Sequence, residues 1–267
     1  MVSLTVLASG SKGNSSVLAT SRTRILVDCG LSCRETLRRM IAAGEDPLTV
    51  TAIVISHEHS DHVTGLWVLA RKLNVPIYMT GATYAGWQYW ARDKETRTKP
   101  KLQKLEIFEP GKSFTIGDVT VSPFTIPHDA VDPVGFTFRA EGVKIGIVTD
   151  LGYMPRSVVD NIRGCDGLMI ESNHDLEMLR GGPYPWQVKQ RVMSRTGHLS
   201  NDSLAQFFSS DYDGSAAFLI LAHLSEANNH PDLARTAAEQ ALAHRRDLLR
   251  NRLMLASQRA PLAPIRL

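Results

Sequence analysis

The chain has 267 residues, of which 43% are hydrophobic and 21% are charged, so it can bury a full core as an ordinary globular protein. Its formal net charge of +3 is too small to demonstrate nucleic-acid binding, and no stretch approaches the roughly 20 uninterrupted apolar residues of a membrane span. The 3 cysteines form no disulfide framework and Met1–Ser9 lacks a basic leader, so we expect a cytoplasmic protein with reduced thiols and no membrane partner.

Predicted strands and helices alternate along the chain in two similar halves. Short β-branched apolar runs are typical of buried strands, and longer segments with a 3.6-residue period are typical of helices. The first half contains predicted strands at Val2–Leu7, Val17–Ala19, Arg24–Asp28, Val50–Ile55 and Pro76–Met79 and helices at Cys33–Ala43 and Val63–Leu73. The second half contains predicted strands at Val119–Ile126, Gly135–Arg139, Val143–Thr149, Gly167–Glu171, Ala216–Ala222 and Arg252–Ala256 and helices at Pro155–Ile162, Trp186–Arg195, Asn201–Phe208 and Pro231–His244.

This order of elements predicts two sheets that face each other, each covered by helices, and therefore an α/β fold class. We expect a single domain over residues 1–256, because about 250 residues commonly form one domain. Residues 257–267 contain two prolines and little pattern, which predicts a loosely ordered C-terminal tail.

The most specific pattern of the sequence lies in Ser56–Gly65, directly after a predicted buried strand. It places His57, His59, Asp61 and His62 in the spacing His-x-His-x-Asp-His. Imidazole and carboxylate are ligands suited to zinc, manganese or iron rather than to a metal that prefers thiolates. A merely polar turn is the alternative, but four such side chains at this spacing favour a metal site.

This spacing resembles the signature of the metallo-β-lactamase-fold hydrolases, and the other ligands of that family match single residues at predicted strand ends. The resemblance covers residues 1 to about 255 and implies a four-layer αβ/βα sandwich. It implies two divalent ions with a bridging hydroxide, held by His57, His59 and His128 on one side, Asp61, His62 and His223 on the other, and Asp150 between them.

His128 and Asp28, a further match at a predicted strand end, have alternatives. A lone histidine after Ile126-Pro127 can be a loop residue, and Asp129 and Asp132 nearby complicate the choice, although its place in the ordered set favours His128 as a ligand. Asp28 either orients a ligand by hydrogen bonds or caps the end of a strand.

Four further stretches are similar to the small YycJ (WalJ) group of nucleases: Ser9–Ser15, Glu171–Asp175, Gly182–Lys189 and Gly197–Asn201. This resemblance implies 5′-to-3′ exonuclease action on DNA. It also implies that Glu171 and His198 act as a dyad beside the metals and that Asp61 shares in catalysis. A salt bridge or a helix cap is the alternative explanation of Glu171 and His198, and the matching stretches favour the dyad.

Two segments are candidates for substrate binding. The Gly- and Ser-rich Ser9–Ser16 could cradle a phosphate through backbone N–H groups, or could form a tight hairpin turn. Arg92–Lys104 is basic and follows three aromatic residues, a combination that suits single-stranded nucleic acid but also a solvated face beside core aromatics. The candidate residues from these segments are Ser11, Asn14, Arg97, Lys99 and Lys101, and His174 from the Glu171–Asp175 stretch is a further candidate.

Together these observations predict a dinuclear phosphodiesterase with zinc or manganese ions, iron being a third option. We expect a nuclease that acts on DNA rather than RNA, and a homodimer is compatible with it. The alternative is a thioesterase or lactonase of the same fold that acts on a small molecule. A non-enzymatic regulator is disfavoured because the ligand set is complete.

Overall fold

The computed structural model describes residues 1–91, 100–243 and 252–267, which form two mixed sheets. The strands of the first sheet are β1 (Ser3–Ala8), β2 (Ser15–Ala19), β3 (Arg24–Val27), β4 (Ala52–Val54), β5 (Ile77–Thr80), β6 (Leu105–Phe108) and β14 (Ile265–Arg266). Those of the second are β7 (Phe114–Ile116), β8 (Val119–Thr125), β9 (Val134–Ala140), β10 (Val143–Val148), β11 (Gly167–Glu171), β12 (Phe218–Ala222) and β13 (Arg252–Leu255). Their spatial orders are β14-β1-β2-β3-β4-β5-β6 and β13-β12-β11-β10-β9-β8-β7.

Helices connect these strands. They are α1 (Cys33–Ala42), α2 (Ser60–Val63), α3 (Leu66–Leu73), α4 (Gly81–Trp90), α5 (Arg156–Ile162), α6 (Leu176–Gly181), α7 (Trp186–Val192), α8 (Asn201–Ser210) and α9 (Pro231–Ala243), with a 3₁₀ turn at Pro47–Thr49. Across the described ranges, none of the helices is long and apolar enough to cross a membrane.

The helix predicted over Val63–Leu73 is divided in two by Gly65. The Gly65 amide donates to the Cys29 carbonyl oxygen at 2.7 Å, and a Cβ on Gly65 would lie only 2.0 Å from the Leu31 carbonyl oxygen. Because the Gly65 amide bonds Cys29 instead of continuing the helical hydrogen bonds, α2 ends before Gly65 and α3 begins after it. Only glycine permits the close approach to Leu31.

Three apolar clusters arrange the sheets and helices in four layers. The side chain of Val54 in β4 points into the cluster between the two sheets, where it joins Phe136. Ile53 and its neighbours on the other face of the first sheet pack against α1, α3 and α4. A third cluster, which includes Phe208, lies between the second sheet and α5, α8 and α9. The predicted α/β fold with two helix-covered sheets is confirmed.

The C-terminal residues lie against the first sheet, which differs from the loosely ordered tail predicted for residues 257–267. Ile265 pairs with Leu4 of β1, and the Leu262 amide donates to the Val6 carbonyl oxygen at 2.9 Å. The segment therefore covers the hydrogen-bonding edge that β1 would otherwise expose. Two residues of strand and two prolines are too weak a pattern to reveal this pairing in advance.

Removal of residues 260–267 is expected to lower the free energy of unfolding by about 2–4 kcal/mol, through lost apolar burial and backbone hydrogen bonds. Leu262, Ile265 and Leu267 all pack against the cluster between the sheets, which is why their loss matters. Urea unfolding of the truncated and full chains measures the difference. Arg266→Ala keeps the backbone and is the control, and an unchanged midpoint in the truncated chain would indicate a loosely held tail.

Candidate metal centre

The histidines and aspartates singled out in the sequence meet at one end of the sandwich. Parallel neighbours β3 and β4 end there in the first sheet, as do β10, β11 and β12 in the second. Carboxyl ends of parallel strands share one edge of a sheet, so the loops that follow them converge. The converging residues are Asp28 after β3, His57–His62 after β4, His128 after β8, Asp150 after β10 and His223 after β12.

Three of these residues adopt a left-handed backbone conformation that is uncommon outside glycine. The φ angles are 60° at Asp28, 63° at Asp150 and 56° at His223. Such conformations persist only where the surroundings impose them, and they concentrate at functional sites. Here they mark the point at which three strands end and the chain turns at the site.

The first cluster consists of His57, His59 and His128, whose ligand atoms lie within 4.8 Å of one another. The Nδ1 atom of His128 donates to the Gly197 carbonyl oxygen at 3.1 Å. This bond leaves Nε2 of His128 to face Nδ1 of His59 across 3.2 Å. Burial lowers the pKa of His57 and of His128, so both imidazoles are held in the neutral form that binds metal.

The second cluster consists of Asp61, His62, Asp150 and His223, again within 4.8 Å. Nε2 of His62 lies 3.2 Å from Oδ2 of Asp150, and Nε2 of His223 lies 3.4 Å from Oδ2 of Asp61. Oδ1 of Asp150 lies 3.4 Å from Nδ1 of His223. The Asp150 carboxylate therefore lies between two imidazoles.

Charge is strongly coupled in this second cluster. Burial alone would lower the pKa of His62 and of His223, but the surrounding carboxylates, Asp150 above all, raise both well above the ordinary value. Burial alone would raise the pKa of Asp150, but the imidazoles of His223 and His62 hold it well below the ordinary value. The centre thus keeps a buried carboxylate ionised, and that charge requires positive charge beside it.

The residues fit a divalent cation. Nε2 of His57 is a buried atom without a hydrogen-bond partner among the described residues. Such an orphan costs about 1–3 kcal/mol unless something binds it. Imidazoles and carboxylates together form the donor set of zinc, manganese and iron sites. The two clusters are therefore able to bind metal ions. The assignment of each residue to a particular ion stays a prediction.

Asp28 acts on this centre through hydrogen bonds. Its Oδ2 lies 2.9 Å from Nδ1 of His62, and its Oδ1 accepts from the Ser56 amide at 2.8 Å. Nε2 of His62 is thereby turned toward the carboxylates. Such carboxylate–imidazole pairs orient the ligands of metal sites, so the geometry favours the orienting role of Asp28 over a strand-end cap. The contribution of Ser56, which bonds Asp28 and lies 3.0 Å from Nδ1 of His57, had no signal in the sequence.

Glu171 and His198 are adjacent, and Glu171 also reaches the second cluster. The carboxylate is fully buried, and its Oε1 lies 2.9 Å from Nδ1 of His198 and 2.8 Å from Nδ1 of His223. Its Oε2 accepts from the amides of Leu151 and Leu199 at 2.9 and 3.1 Å. Four donors therefore converge on one carboxylate, whereas the sequence indicated only the pair with His198.

These contacts determine the charge of the dyad. Burial alone would raise the pKa of Glu171, but His198 and His223 lower it to about 2. Burial alone would lower the pKa of His198, but Glu171 raises it above the ordinary value. With Nδ1 engaged by Glu171, Nε2 is the nitrogen of His198 that can face a substrate.

The Ser9–Ser16 segment contains the turn between β1 and β2 and the first two residues of β2. The amide of Gly10 donates to Oδ1 of Asn14, the amide of Gly13 donates to the Gly10 carbonyl oxygen, and the amide of Lys12 donates to Oε1 of Gln258. Because these N–H groups are used within the protein, the structure favours the hairpin turn over the phosphate cradle. Ser11 is exposed at its tip.

Asn14 and His174 lie near the centre, but Lys101 does not. Nδ2 of Asn14 lies 3.0 Å from Nε2 of His62. His174 is buried, and burial lowers its pKa to about 4 against the opposing effect of the nearby Glu171 carboxylate. Lys101 lines a separate groove beside α3 and β5 whose described lining contains no residue of the two clusters.

The remaining substrate-binding candidates, Arg97 and Lys99, lie outside the described residues. The sequence indicated Asp129 only as a neighbour that complicates the choice of His128. Its Oδ1 lies 3.5 Å from Nε2 of His128, and its Oδ2 accepts from Arg191. Only its position next to His128 signalled it.

Comparison with known proteins gives a consistent result. Residues 23–223 match the family model described as the beta-lactamase superfamily domain. The chain is 39% identical over 238 residues to exodeoxyribonuclease WalJ of Streptococcus pneumoniae serotype 2 (strain D39 / NCTC 7466). The aligned residues cover 89% of this chain and 87% of that protein. It is 38% identical over 237 residues to exodeoxyribonuclease YycJ of Bacillus anthracis, with 89% and 88% covered.

Among solved structures, the metallo-beta-lactamase fold protein YhfI from Bacillus subtilis is similar, with a TM-score of 0.71 over 98% of this chain and 99% of that chain. Its sequence identity is 19%, so this likeness concerns the fold. The resemblance inferred from His57–His62 and from the four further stretches is confirmed over most of the chain.

Proposed function

This chain belongs to the beta-lactamase superfamily as a hydrolase of the metallo-beta-lactamase fold, and we propose that it is a metal-dependent exodeoxyribonuclease. Two relatives that cover most of its length carry that name. The observation that carries the proposal is the Glu171–His198 pair directly beside two clusters of metal-binding side chains. Attack on a phosphodiester needs charge stabilisation at phosphorus and a proton for the departing oxygen, and these groups lie together here.

We assign two divalent ions to the centre, zinc or manganese in preference to iron. His57, His59 and His128 would hold one, Asp61, His62 and His223 the other, and Asp150 both. When bound, such ions lower the pKa of water to near neutrality and stabilise charge on phosphoryl oxygens. The protein holds the ligands in place through Asp28 on His62, Glu171 on His223 and the Gly197 carbonyl on His128.

His198 would protonate the departing sugar oxygen through Nε2. Its Nδ1 is held by Glu171, which fixes the ring orientation and stabilises the protonated form. Nucleic-acid backbones expel an alkoxide, which is strongly basic and benefits from a proton in the transition state. The thioesterase alternative has weaker support, since a thiolate leaves without a proton donor. The names of both relatives favour DNA over RNA as the substrate.

Chelation is expected to abolish the activity, and added Mn²⁺ or Zn²⁺ is expected to restore it. The side chains of the two clusters bind the cation but cannot replace its positive charge in the reaction. The assay offers purified protein 5′- and 3′-labelled DNA and RNA, with thioester and lactone panels in parallel. We expect mononucleotide release from DNA beginning at the 5′ end. Chelator-resistant cleavage would contradict the metal requirement, and turnover of thioesters or lactones without nuclease activity would favour the alternative hydrolase.

A further inference from the structure

The segment that leads into His198 is basic. Residues 178–201 contain neither aspartate nor glutamate. Their lysines and arginines are Arg180, Lys189, Arg191 and Arg195. Most residues of α7 are exposed within this segment, and the turn after α7 carries His198 into the candidate centre. A basic surface at this place suits the negatively charged backbone of DNA, so the segment is a candidate phosphate contact.

The turn between α7 and His198 is bonded on both sides. The His198 amide donates to the Val192 carbonyl oxygen at 2.9 Å, which ties the turn to the last residue of α7. The Gly197 carbonyl oxygen accepts from Nδ1 of His128 at 3.1 Å, which ties the same turn to the first metal cluster. Because one short turn bonds both, α7 has a fixed place beside the centre.

One cation of α7, Arg191, contacts a neighbour of the first metal cluster. Its Nε donates to Oδ2 of Asp129, and Oδ1 of Asp129 lies 3.5 Å from Nε2 of His128. Its two terminal NH₂ groups donate to no residue that the structure describes, and its side chain is 62% exposed. The guanidinium is thus held at one nitrogen, and its other donors are available to a ligand at the edge of the centre.

The guanidinium of Arg191 is within the electrostatic reach of both clusters. Asp129 above all raises the pKa of Arg191, against the lowering effect of burial, and the Asp61 carboxylate adds to the increase. A guanidinium is a permanent cation whose planar fork matches the oxygens of a phosphate. Hydrogen bonds between two such charged groups are stronger than those between neutral groups. The geometry therefore suits a phosphate that lies beside the metal centre.

We propose, on the basis of the nuclease function above, that Arg191 binds a non-bridging oxygen of a DNA backbone phosphate next to the scissile one. The metal clusters would hold the scissile phosphate, and the guanidinium lies one carboxylate away from His128, where the same strand continues. Asp129 is then a positioning residue that aims the NH₂ groups of Arg191. Contacts to phosphate carry no direct sequence information, so this one distinguishes DNA from a small phosphodiester without regard to the bases.

Kinetics of two Arg191 variants test this inference on DNA and on bis(p-nitrophenyl) phosphate, which has no neighbouring phosphate. Arg191→Gln should raise KM for DNA about 10-fold with little change in kcat, because a hydrogen bond between charged groups is lost. The loss on bis(p-nitrophenyl) phosphate should be much smaller. Arg191→Lys keeps the charge but not the planar fork, so it should recover only part of the loss on DNA.

The salt dependence counts the contact. Arg191→Gln should lower the slope of log KM for DNA against log salt concentration by about 0.7–0.9, the change expected for one phosphate contact. Arg38→Gln is the matched control, because Arg38 is also 62% exposed and pairs with Glu35 of its own helix, outside both metal clusters. It should leave both KM and the slope unchanged.

A methylphosphonate scan provides an independent arm. One phosphate at a time, on either side of the scissile bond, is replaced by a neutral methylphosphonate. At one of the two flanking positions this replacement should raise KM for the wild type but not further for Arg191→Gln, since both changes remove the same contact.

The other outcomes overturn the inference. Equal losses on DNA and on the small phosphodiester with metal retained would make Arg191 a structural residue, and loss of metal would make it a support of the first cluster. Methylphosphonate effects that add to that of Arg191→Gln at both flanking positions would show that Arg191 contacts a different group. If the wild type cleaves DNA and both variants match it, this inference alone fails; if the wild type cleaves no nucleic acid, the proposed function fails.

Discussion

Replacement of Asp150 by asparagine is expected to abolish DNA hydrolysis while the fold survives. Mutation of a residue that merely orients a metal ligand typically lowers metal affinity or activity about 10- to 100-fold. Loss of a ligand shared by two ions should therefore lower the activity by more than about 100-fold. Asparagine tolerates the left-handed conformation at φ 63° better than alanine, so the backbone can stay in place. The rate on labelled DNA, metal content by mass spectrometry and circular dichroism together measure the effect.

The metal content separates this interpretation from a general disturbance of the site. Asp132→Asn is the matched control, because Asp132 lies on the same loop as His128 but in none of the clusters. It should keep metal and activity, whereas His59→Ala should lose activity as Asp150→Asn does. Full metal content and full activity in Asp150→Asn would contradict the shared-ligand assignment.

The ligands that lie close together in the sequence could be predicted from their spacing. The ligands that lie far apart in the sequence could be predicted only with the help of a family resemblance. His57, His59, Asp61 and His62 lie within six positions after one strand, so their spacing alone indicates metal binding. His128 and its scattered partners are single polar residues at strand ends, and only a family resemblance placed them in an ordered set.

The dual contact of Glu171 had no sequence signal at all. Glu171 and His223 are 52 positions apart, and they meet because β11 and β12 are parallel neighbours with Glu171 opposite Ala222. Periodicity describes which face of a strand is buried, but it does not describe which strand lies beside it. Contacts of this kind become visible only when the sheet order is known.

The fold shows the same division between local and tertiary information. The apolar runs of β10, β11 and β12 were evident because both faces of those strands are buried. The α4 segment Gly81–Trp90 was missed because two glycines and four aromatic residues give it no apolar stripe. The short strands β6, β7 and β14 were missed as well, since pairing with a neighbour defines them more than propensity does.

His198→Ala is expected to slow DNA hydrolysis by about 10²–10⁴-fold, the range for loss of a positioned general acid. The same variant should largely spare bis(p-nitrophenyl) phosphate, because nitrophenolate is a weak base that departs without a proton. The ratio of the two rates, measured on one metal-loaded preparation, isolates proton donation from binding of the ions. His230→Ala, an exposed histidine at the start of α9, is the control and should change neither rate.

Metal content is the decisive companion measurement, since His198 lies with Asp150, Glu171 and His223 in a third group able to bind metal. Loss of an ion in His198→Ala would make His198 a ligand, and equal slowing of both substrates with metal retained would make it a binding or structural residue.

The variant Glu171→Gln tests the partner of His198. Through its effect on His198 alone, this variant should slow DNA hydrolysis less than His198→Ala does, because Glu171 orients and charges the imidazole but does not carry the proton. However, Glu171 also holds His223 at 2.8 Å. We therefore expect Glu171→Gln to lower metal affinity and to slow both substrates, which distinguishes it from the proton donor it supports.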